Sequence, residues 1–488
     1  MPTAARAWQR PPPGGATISH VDGFPAKMWG DEEYFGLGYE FDPIWFLTDE
    51  DRALEREIID ACQRVIRPLA IECDRTGAYP RASVDELGRL RLLAMIAPER
   101  YGCRASSHTQ VLMATEAIAR YGCPSTAIIF MMHLVAVAGL VFRAKGNDEI
   151  ESLLRRMDAE ALIGTASYTD PETGGHFWYP KTSGAERVEA GWHVRKSGAF
   201  TTSSGFADWY LTQTTSPDFD GNYADLSVFL LYGDEVQGSP GRWDAMGMHA
   251  NQSGPVTIDA VIPENRIVGW PGDGARSNDE AIDPLAFLMY AGAYNGIALA
   301  CLDVARRHAL RTSHAQYGRR IADYATSQDA YGRAVCEAQA SRLFAYGMAQ
   351  ALDAATDGGD WTLYESDPDA APRAAFTSWG LEAKVLAAGL ASRVSDAMLQ
   401  LCGGRGYTRA AEIERLVRDA RAGWVMAPSN EVSQGIVGRW ALLGADAVDW
   451  WNQKVDERAL RNELGKLDDD EKRRLVEELE AELDRAGA

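Results

Sequence analysis

From Leu47 onward, apolar residues recur at Leu54, Ile58, Cys62 and Val65, a spacing near 3.6 that predicts an amphipathic helix. Thr48 stands at its N-cap, and Glu50 and Asp51 place negative charge at the positive end of the helix dipole. The helical pattern runs to about residue 160, broken at Asp74-Arg75-Thr76-Gly77 and Pro98-Glu99-Arg100-Tyr101-Gly102, where Asp, Pro and Gly supply turn dihedrals. From Leu162 to Gly272 the pattern changes to short runs rich in Thr, Tyr, Trp and Val, such as Trp192–Arg195 and Leu226–Leu231, which predict strands. Helical periodicity returns over Leu285–Ala309, Ser327–Leu352 and Phe376–Leu401, the lengths of a long-helix bundle. The most apolar run, Ala127–Phe142, contains His133 and falls short of the ~20 residues a membrane span needs, so it predicts a buried helix. The expected organisation is an arm over 1–47, a helical domain over 48–161, a β module over 162–272, a helical bundle over 273–445 and a helical tail over 446–488. In that tail Leu475, Val476, Leu479 and Leu483 share one face.

Composition narrows the class. A chain of 488 residues, 46% hydrophobic and 24% charged, has the make-up of a folded enzyme of two to four packed modules, which excludes disordered and fibrous classes. The net charge of -21 repels polyanions, so neither nucleic acid nor an anionic membrane is an expected partner. Seven scattered cysteines, none in a C-x-x-C pair, argue against a disulfide framework and a zinc site and suit the reducing cytoplasm; no metal site is expected. The proline-rich start lacks the apolar run of a secretory signal.

Helices, then a β module, then a bundle is an uncommon order, and several segments give it a family likeness. These are Pro98-Glu99-Arg100-Tyr101-Gly102, Tyr168-Thr169-Asp170-Pro171, Met246-Gly247-Met248, Val261-Ile262-Pro263, Cys402-Gly403-Gly404-Arg405-Gly406-Tyr407 and Arg418-Asp419-Ala420-Arg421. Together they resemble the acyl-CoA dehydrogenase superfamily from about Leu47 to Leu443. The resemblance implies an α+β fold with an N-terminal helical domain, a central β-barrel domain and a C-terminal four-helix bundle. It also implies a flavin held between the β module and the bundle, and a homo-oligomer, commonly a tetramer.

Residue by residue, the resemblance assigns the flavin ring to Tyr168 and Thr169, which match the T-E-P segment, and to Phe200, Thr201 and Thr202, which match W-I-T. Ser167 and Ser203 are further candidate hydroxyl donors. Gln400, Gly403 and Gly404 match a Q-x-x-G-G segment that in relatives meets the dinucleotide of a neighbouring subunit; read alone, they are a helix end and a turn. The family's phosphate-binding arginine is replaced by His314, which lacks a guanidinium's fork of donors, with Arg311 one turn earlier as the substitute. That change leaves both FAD and FMN open.

The catalytic base is where the chain departs most. Family dehydrogenases take an α-proton with a glutamate a few residues after R-D-A, and that place holds Ala427, followed by Pro428 and Ser429. The other base position, on the long helix, holds Ala286, and Phe287 replaces the arginine beside it. Without a base, α-proton removal loses roughly 10²–10⁴-fold of rate. Relatives that lack the glutamate are often monooxygenases that use reduced flavin and O₂, so the expected function is oxygenation of a small organic substrate, with a separate flavin reductase as a possible partner. His133 stands near an active-site histidine of such enzymes, Ser429 takes the place of a cofactor-touching threonine, and Glu431 is a candidate displaced base. A dehydrogenase with a relocated base is the alternative, and a non-catalytic flavin-binding protein is the third reading. His176 and His249 sit in the β module and form no metal pattern.

Overall fold

The computed structural model describes residues 46–171, 182–217, 219, 225–444, 464–465 and 467–486. The expected arm over 1–47 lies outside these residues except for Phe46 and Leu47, and His176 and the start of the expected tail, 446–463, lie wholly outside them.

The first helix, α1 (Asp49–Ala61), starts at Thr48 as its sequence predicts: the Asp51 N–H donates to Thr48 Oγ1 at 3.2 Å, and the Thr48 N–H donates to Asp51 Oδ2 at 2.9 Å. It leads into α2 (Arg67–Thr76), which stops at Gly77 in the left-handed conformation, at the turn expected there. Then follow α3 (Arg81–Arg89), α4 (His108–Ala117), α5 (Pro124–Phe142) and α6 (Asp148–Arg156). By length and composition α5 is apolar enough to cross a membrane, yet 94% of its most apolar window is covered by the protein itself.

The β module is a curled seven-stranded sheet: β1 (Gly164–Ser167), β2 (Gly184–Val188), β3 (Gly191–Gly198), β4 (Trp209–Thr215), β5 (Leu226–Tyr232), β6 (Val236–Gly238) and β7 (Val256–Ile262). Strand β4, buried along its whole length, pairs in parallel with β1 from Gly164↔Trp209 and antiparallel with β5 from Trp209↔Tyr232. It meets β2 only at Gly184↔Thr215, so the sheet divides there and continues through β3, β7 and β6. Position 164 requires glycine because a Cβ would fall 2.0 Å from the Trp209 ring. One face carries its own apolar core of Trp192, Val194, Tyr210, Phe229, Leu231 and Ile258.

The chain returns to helix at α7 (Gly274–Ser277), which passes through a π-helical turn, Asn278–Ile282, into α8 (Asp283–Arg311). A small hairpin, β8 (Ser313–His314) with β9 (Arg319–Arg320), precedes α9 (Ala325–Ala355), α10 (Leu363–Ser366), α11 (Thr377–Gly406), α12 (Glu412–Val425), α13 (Asn430–Leu443) and α14 (Asp469–Ala486). Helices α8, α9, α11 and α12 form the bundle, and α4 packs on α8 and α9, so the N-terminal helices and the bundle share one core. Ion pairs cross the seams: buried Arg342 with Glu116 at 2.6 Å, and the partly buried pairs Arg120 with Asp303 at 2.7 Å and Arg418 with Asp74 at 2.6 Å.

Candidate functional site

A cavity of about 450 Å³ opens where the sheet, α5, the start of α8 and the end of α12 converge. Two of the sequence segments are locked together at its edge. The Met248 N–H donates to Asp419 Oδ1 at 2.7 Å, and a Cβ on Gly247 would come within 2.5 Å of the Arg418 backbone. Met246-Gly247-Met248 is thus pressed against Arg418-Asp419 by close backbone approach, which explains the pairing of these motifs.

The sheet side of the cavity carries Tyr168, Thr169, Phe200 and Thr202, four of the residues assigned to the flavin, brought together from two separate segments. Its polar groups are chained. Ser253 Oγ donates to Asn251 Oδ1 at 3.0 Å, which makes Thr202 the donor in the 2.9 Å bond to Ser253 and leaves the Thr202 oxygen free to accept from a second partner. Thr169 donates to Phe200 O at 3.1 Å, joining the two segments. Asp170, also on this wall, is held by Lys196 at 2.6 Å and by Ser183 Oγ at 2.6 Å, with both side chains of the ion pair fully buried. Burial by itself raises the Asp170 carboxyl, but Lys196 and these hydrogen bonds reverse that and hold it below the usual carboxylate range. The carboxylate is therefore spent on structure.

The bundle side is apolar. Ile282 comes from the π-helical turn, Ala286 and Tyr290 from α8, Ala422 and Val425 from α12, and Met426 and Ala427 from the following turn; Met132 and Val135 of α5 close the third side. Both positions where a family base would stand, Ala286 and Ala427, face the same space. The Tyr290 hydroxyl donates to Ala427 O at 3.1 Å, and its burial raises its pKa, so it remains a phenol.

The remaining sequence candidates lie elsewhere. His133 is not a cavity residue: it is fully buried, its Nε2–H donates to Leu93 O at 2.7 Å and its Nδ1 accepts from the Gly164 N–H at 2.8 Å. Burial pulls its pKa down to about 4, so the ring stays neutral and ties α5 to β1. One residue along a helix is a turn of about 100°, which puts Met132 on the cavity and His133 away from it. Glu431 is exposed in the first turn of α13 and outside the cavity lining, because that helix begins after the wall-forming turn. Ser429 caps α13, accepting from the Val432 N–H at 3.4 Å. Ser203 is turned to the Tyr79 hydroxyl at 2.9 Å, and Ser167 to Thr201 at 3.1 Å, so neither serine serves the cavity. Arg311, His314, Gln400, Gly403 and Gly404 are exposed on the ends of α8 and α11 and on the hairpin, apart from the cavity of their own chain. His249 bonds the carbonyls of Asp74 and Ala245.

Sequence reasoning missed Asn251, Ser253, Trp243, Tyr290 and the Lys196 pairing. For Lys196 a signal existed: Trp192, Val194 and Lys196 alternate onto the inward face of β3, where a lysine demands a partner. The others follow no local pattern.

Comparison with known proteins agrees with this architecture. The acyl-CoA dehydrogenase N-terminal domain matches residues 48–157 and the acyl-CoA dehydrogenase C-terminal domain matches residues 272–442. Cyclohex-1-ene-1-carbonyl-CoA dehydrogenase of Geobacter metallireducens is 26% identical over 405 residues, covering 81% of this chain and 99% of the relative. Among solved structures, glutaryl-coenzyme A dehydrogenase in complex with glutaryl-CoA superposes with a TM-score of 0.72 at 23% identity, covering 83% of this chain and 98% of that one. Dibenzothiophene monooxygenase TdsC from Paenibacillus sp. A11-2 superposes at 0.68 and 19% identity, over 82% and 99% of the two chains, and is also known in an FMN-bound form. With both terminal domains matched and the sheet between them, the chain belongs to the acyl-CoA dehydrogenase superfamily of flavin oxidoreductases.

Proposed function

We propose that the protein is a flavin-dependent monooxygenase that oxygenates a small organic substrate. The observation that carries this reading is the cavity's lack of a proton acceptor on the bundle side: Ala286 and Ala427 both line it, and Asp170, the carboxylate among its described lining residues, is committed to Lys196. The cavity suits an isoalloxazine ring, with the hydroxyls of Thr169 and Thr202 to hold its polar edge and Phe200 and Trp243, which meet edge to face at 6.2 Å, to cover it. Reduced FAD or FMN bound there would supply two electrons to O₂, of which one oxygen atom enters the substrate and the other leaves as water. The chain's own part is to exclude water with Met132, Val135, Val425 and Met426, and to orient the substrate between the two walls. Electrons come from a reduced nicotinamide through a separate flavin reductase. The exposed Arg311, His314, Gln400, Gly403 and Gly404 serve the flavin of a neighbouring copy in a homotetramer.

The dehydrogenase names of its relatives favour the alternative, an acyl-CoA dehydrogenase with a relocated base. That reading needs a carboxylate at the cavity, and Glu431 points into solvent. Anaerobic mixing of the oxidised holoenzyme with straight-chain acyl-CoAs separates the two. Negligible bleaching of the flavin is expected, together with reductase-dependent incorporation of ¹⁸O from O₂ into a trial panel of small aromatic substrates. Rapid bleaching by an acyl-CoA would overturn the proposal.

A further inference from the structure

Lys384 lies two turns into α11 with its side chain fully buried, and it has no carboxylate within ion-pair distance among the described residues. Instead its ammonium donates to three acceptors of one short segment: Pro428 O at 2.7 Å, Asn430 Oδ1 at 2.8 Å and Met426 O at 3.3 Å. The same segment forms the bundle wall, since Met426 and Ala427 line the cavity. Two phenols of α8 hold it from the other side, Tyr290 at Ala427 O and Tyr294 at Met426 Sδ, 3.0 Å away. An ammonium has three protons and uses all of them here, whereas a neutral amine has two and must release one acceptor.

The charged surroundings do little to secure the proton. Exposed Glu431 at the start of α13 favours the ammonium from a distance, and the Tyr290 ring centre lies 5.8 Å from Nζ. Of the carboxylates on the helices packed against α11, Asp303 of α8 is engaged with Arg120, Glu337 of α9 with Arg393, and Asp419 of α12 with Arg415 and the Met248 N–H. Burial therefore dominates and pulls Lys384 down to about 7.

We propose that Lys384 is a positioning residue: its ammonium fixes the Met426–Asn430 segment in the shape that walls the cavity, and loss of one of its three bonds loosens that wall. The consequence for turnover rests on the reading of the cavity as the reaction space.

The test is amide hydrogen exchange of peptides covering residues 424–433 in the flavin-loaded enzyme from pH 6 to 9, corrected for the intrinsic pH dependence of exchange. Parent, Lys384→Arg and Lys384→Met are compared, with α5 peptides as the control for folding. In the parent, exchange of the segment should rise at least fivefold as pH passes 7. Lys384→Met should exchange fast at every pH, and Lys384→Arg, which keeps its charge, should stay protected to pH 9. Reoxidation of the dithionite-reduced holoenzyme by O₂ is the second measurement, expected to change at least threefold in Lys384→Met at pH 6 and to be restored in Lys384→Arg. Exchange at pH 6 that is equal in parent and Lys384→Met, or exchange unaffected by pH in the parent, overturns the proposal. Expected exchange with indifferent reoxidation leaves the positioning role standing and removes the functional reading of the cavity. If Lys384→Met loses α5 protection, the pH dependence of the parent and its suppression in Lys384→Arg decide.

Discussion

On the sheet side of the cavity, polar groups are paired before any ligand arrives: Thr202 with Ser253, Ser253 with Asn251, and Asp170 with Lys196. On the bundle side, Ala286, Ala422, Ala427 and Val425 present small apolar surfaces, and the Tyr290 hydroxyl is turned onto a carbonyl. The difference separates two tasks. In the proposed reading the paired groups of the sheet side would hold a cofactor edge at little reorganisation cost, while the bundle side is apolar and, among its described residues, offers no carboxylate or imidazole to take a proton.

Breaking the sheet side at its root should give the largest effect. Lys196→Met leaves Asp170 buried without its cation, and the loss of one member of such a pair costs roughly 3–5 kcal/mol, read as a fall in the urea midpoint. The sign with pH follows from the lowered Asp170 pKa: the pair's contribution is full above the unfolded carboxyl's pKa of about 4 and is lost as pH falls through the lower folded value. Stability of the parent and of Lys196→Met should therefore converge in acid.

The bundle side is sharpened by narrowing it. Ala286→Val adds two methyl groups to the cavity wall and should cut kcat/KM about 10- to 100-fold by excluding substrate, with flavin content unchanged by absorbance. Loss of bound flavin instead would show that the cofactor leans on this wall. A smaller effect is expected from Thr202→Val, which deletes one hydroxyl from the sheet side. Flavin affinity should weaken about tenfold, the worth of one hydrogen bond of ~1–1.5 kcal/mol, measured by fluorescence titration. Smallest of all, Glu431→Gln should leave flavin reduction and oxygen consumption within about twofold, because an exposed side chain away from the cavity contributes little. An order-of-magnitude loss would return the base to Glu431.

The family resemblance pointed to the segments from which Thr169, Phe200 and Thr202 meet, while local pattern alone determined the succession of helices, sheet and bundle, the Thr48 cap and the turn at Gly77. These features depend on residue spacing and on the φ preferences of single positions, which a linear sequence records. The alanines at 286 and 427 were legible through the family resemblance, since an absent carboxylate needs no geometry to be noticed. Tertiary structure alone decided that these alanines share one cavity, that His133 is bonded away from it while Met132 faces it, that Ser203 turns to Tyr79, and that Lys384 hangs a wall segment from α11. Each of these turns on the rotation of a helix or the path of a loop against distant partners, 40 residues away for His133 and Leu93 and 124 for Tyr79 and Ser203. A side chain's direction is set by the packing energy of the whole core rather than by its neighbours in the chain.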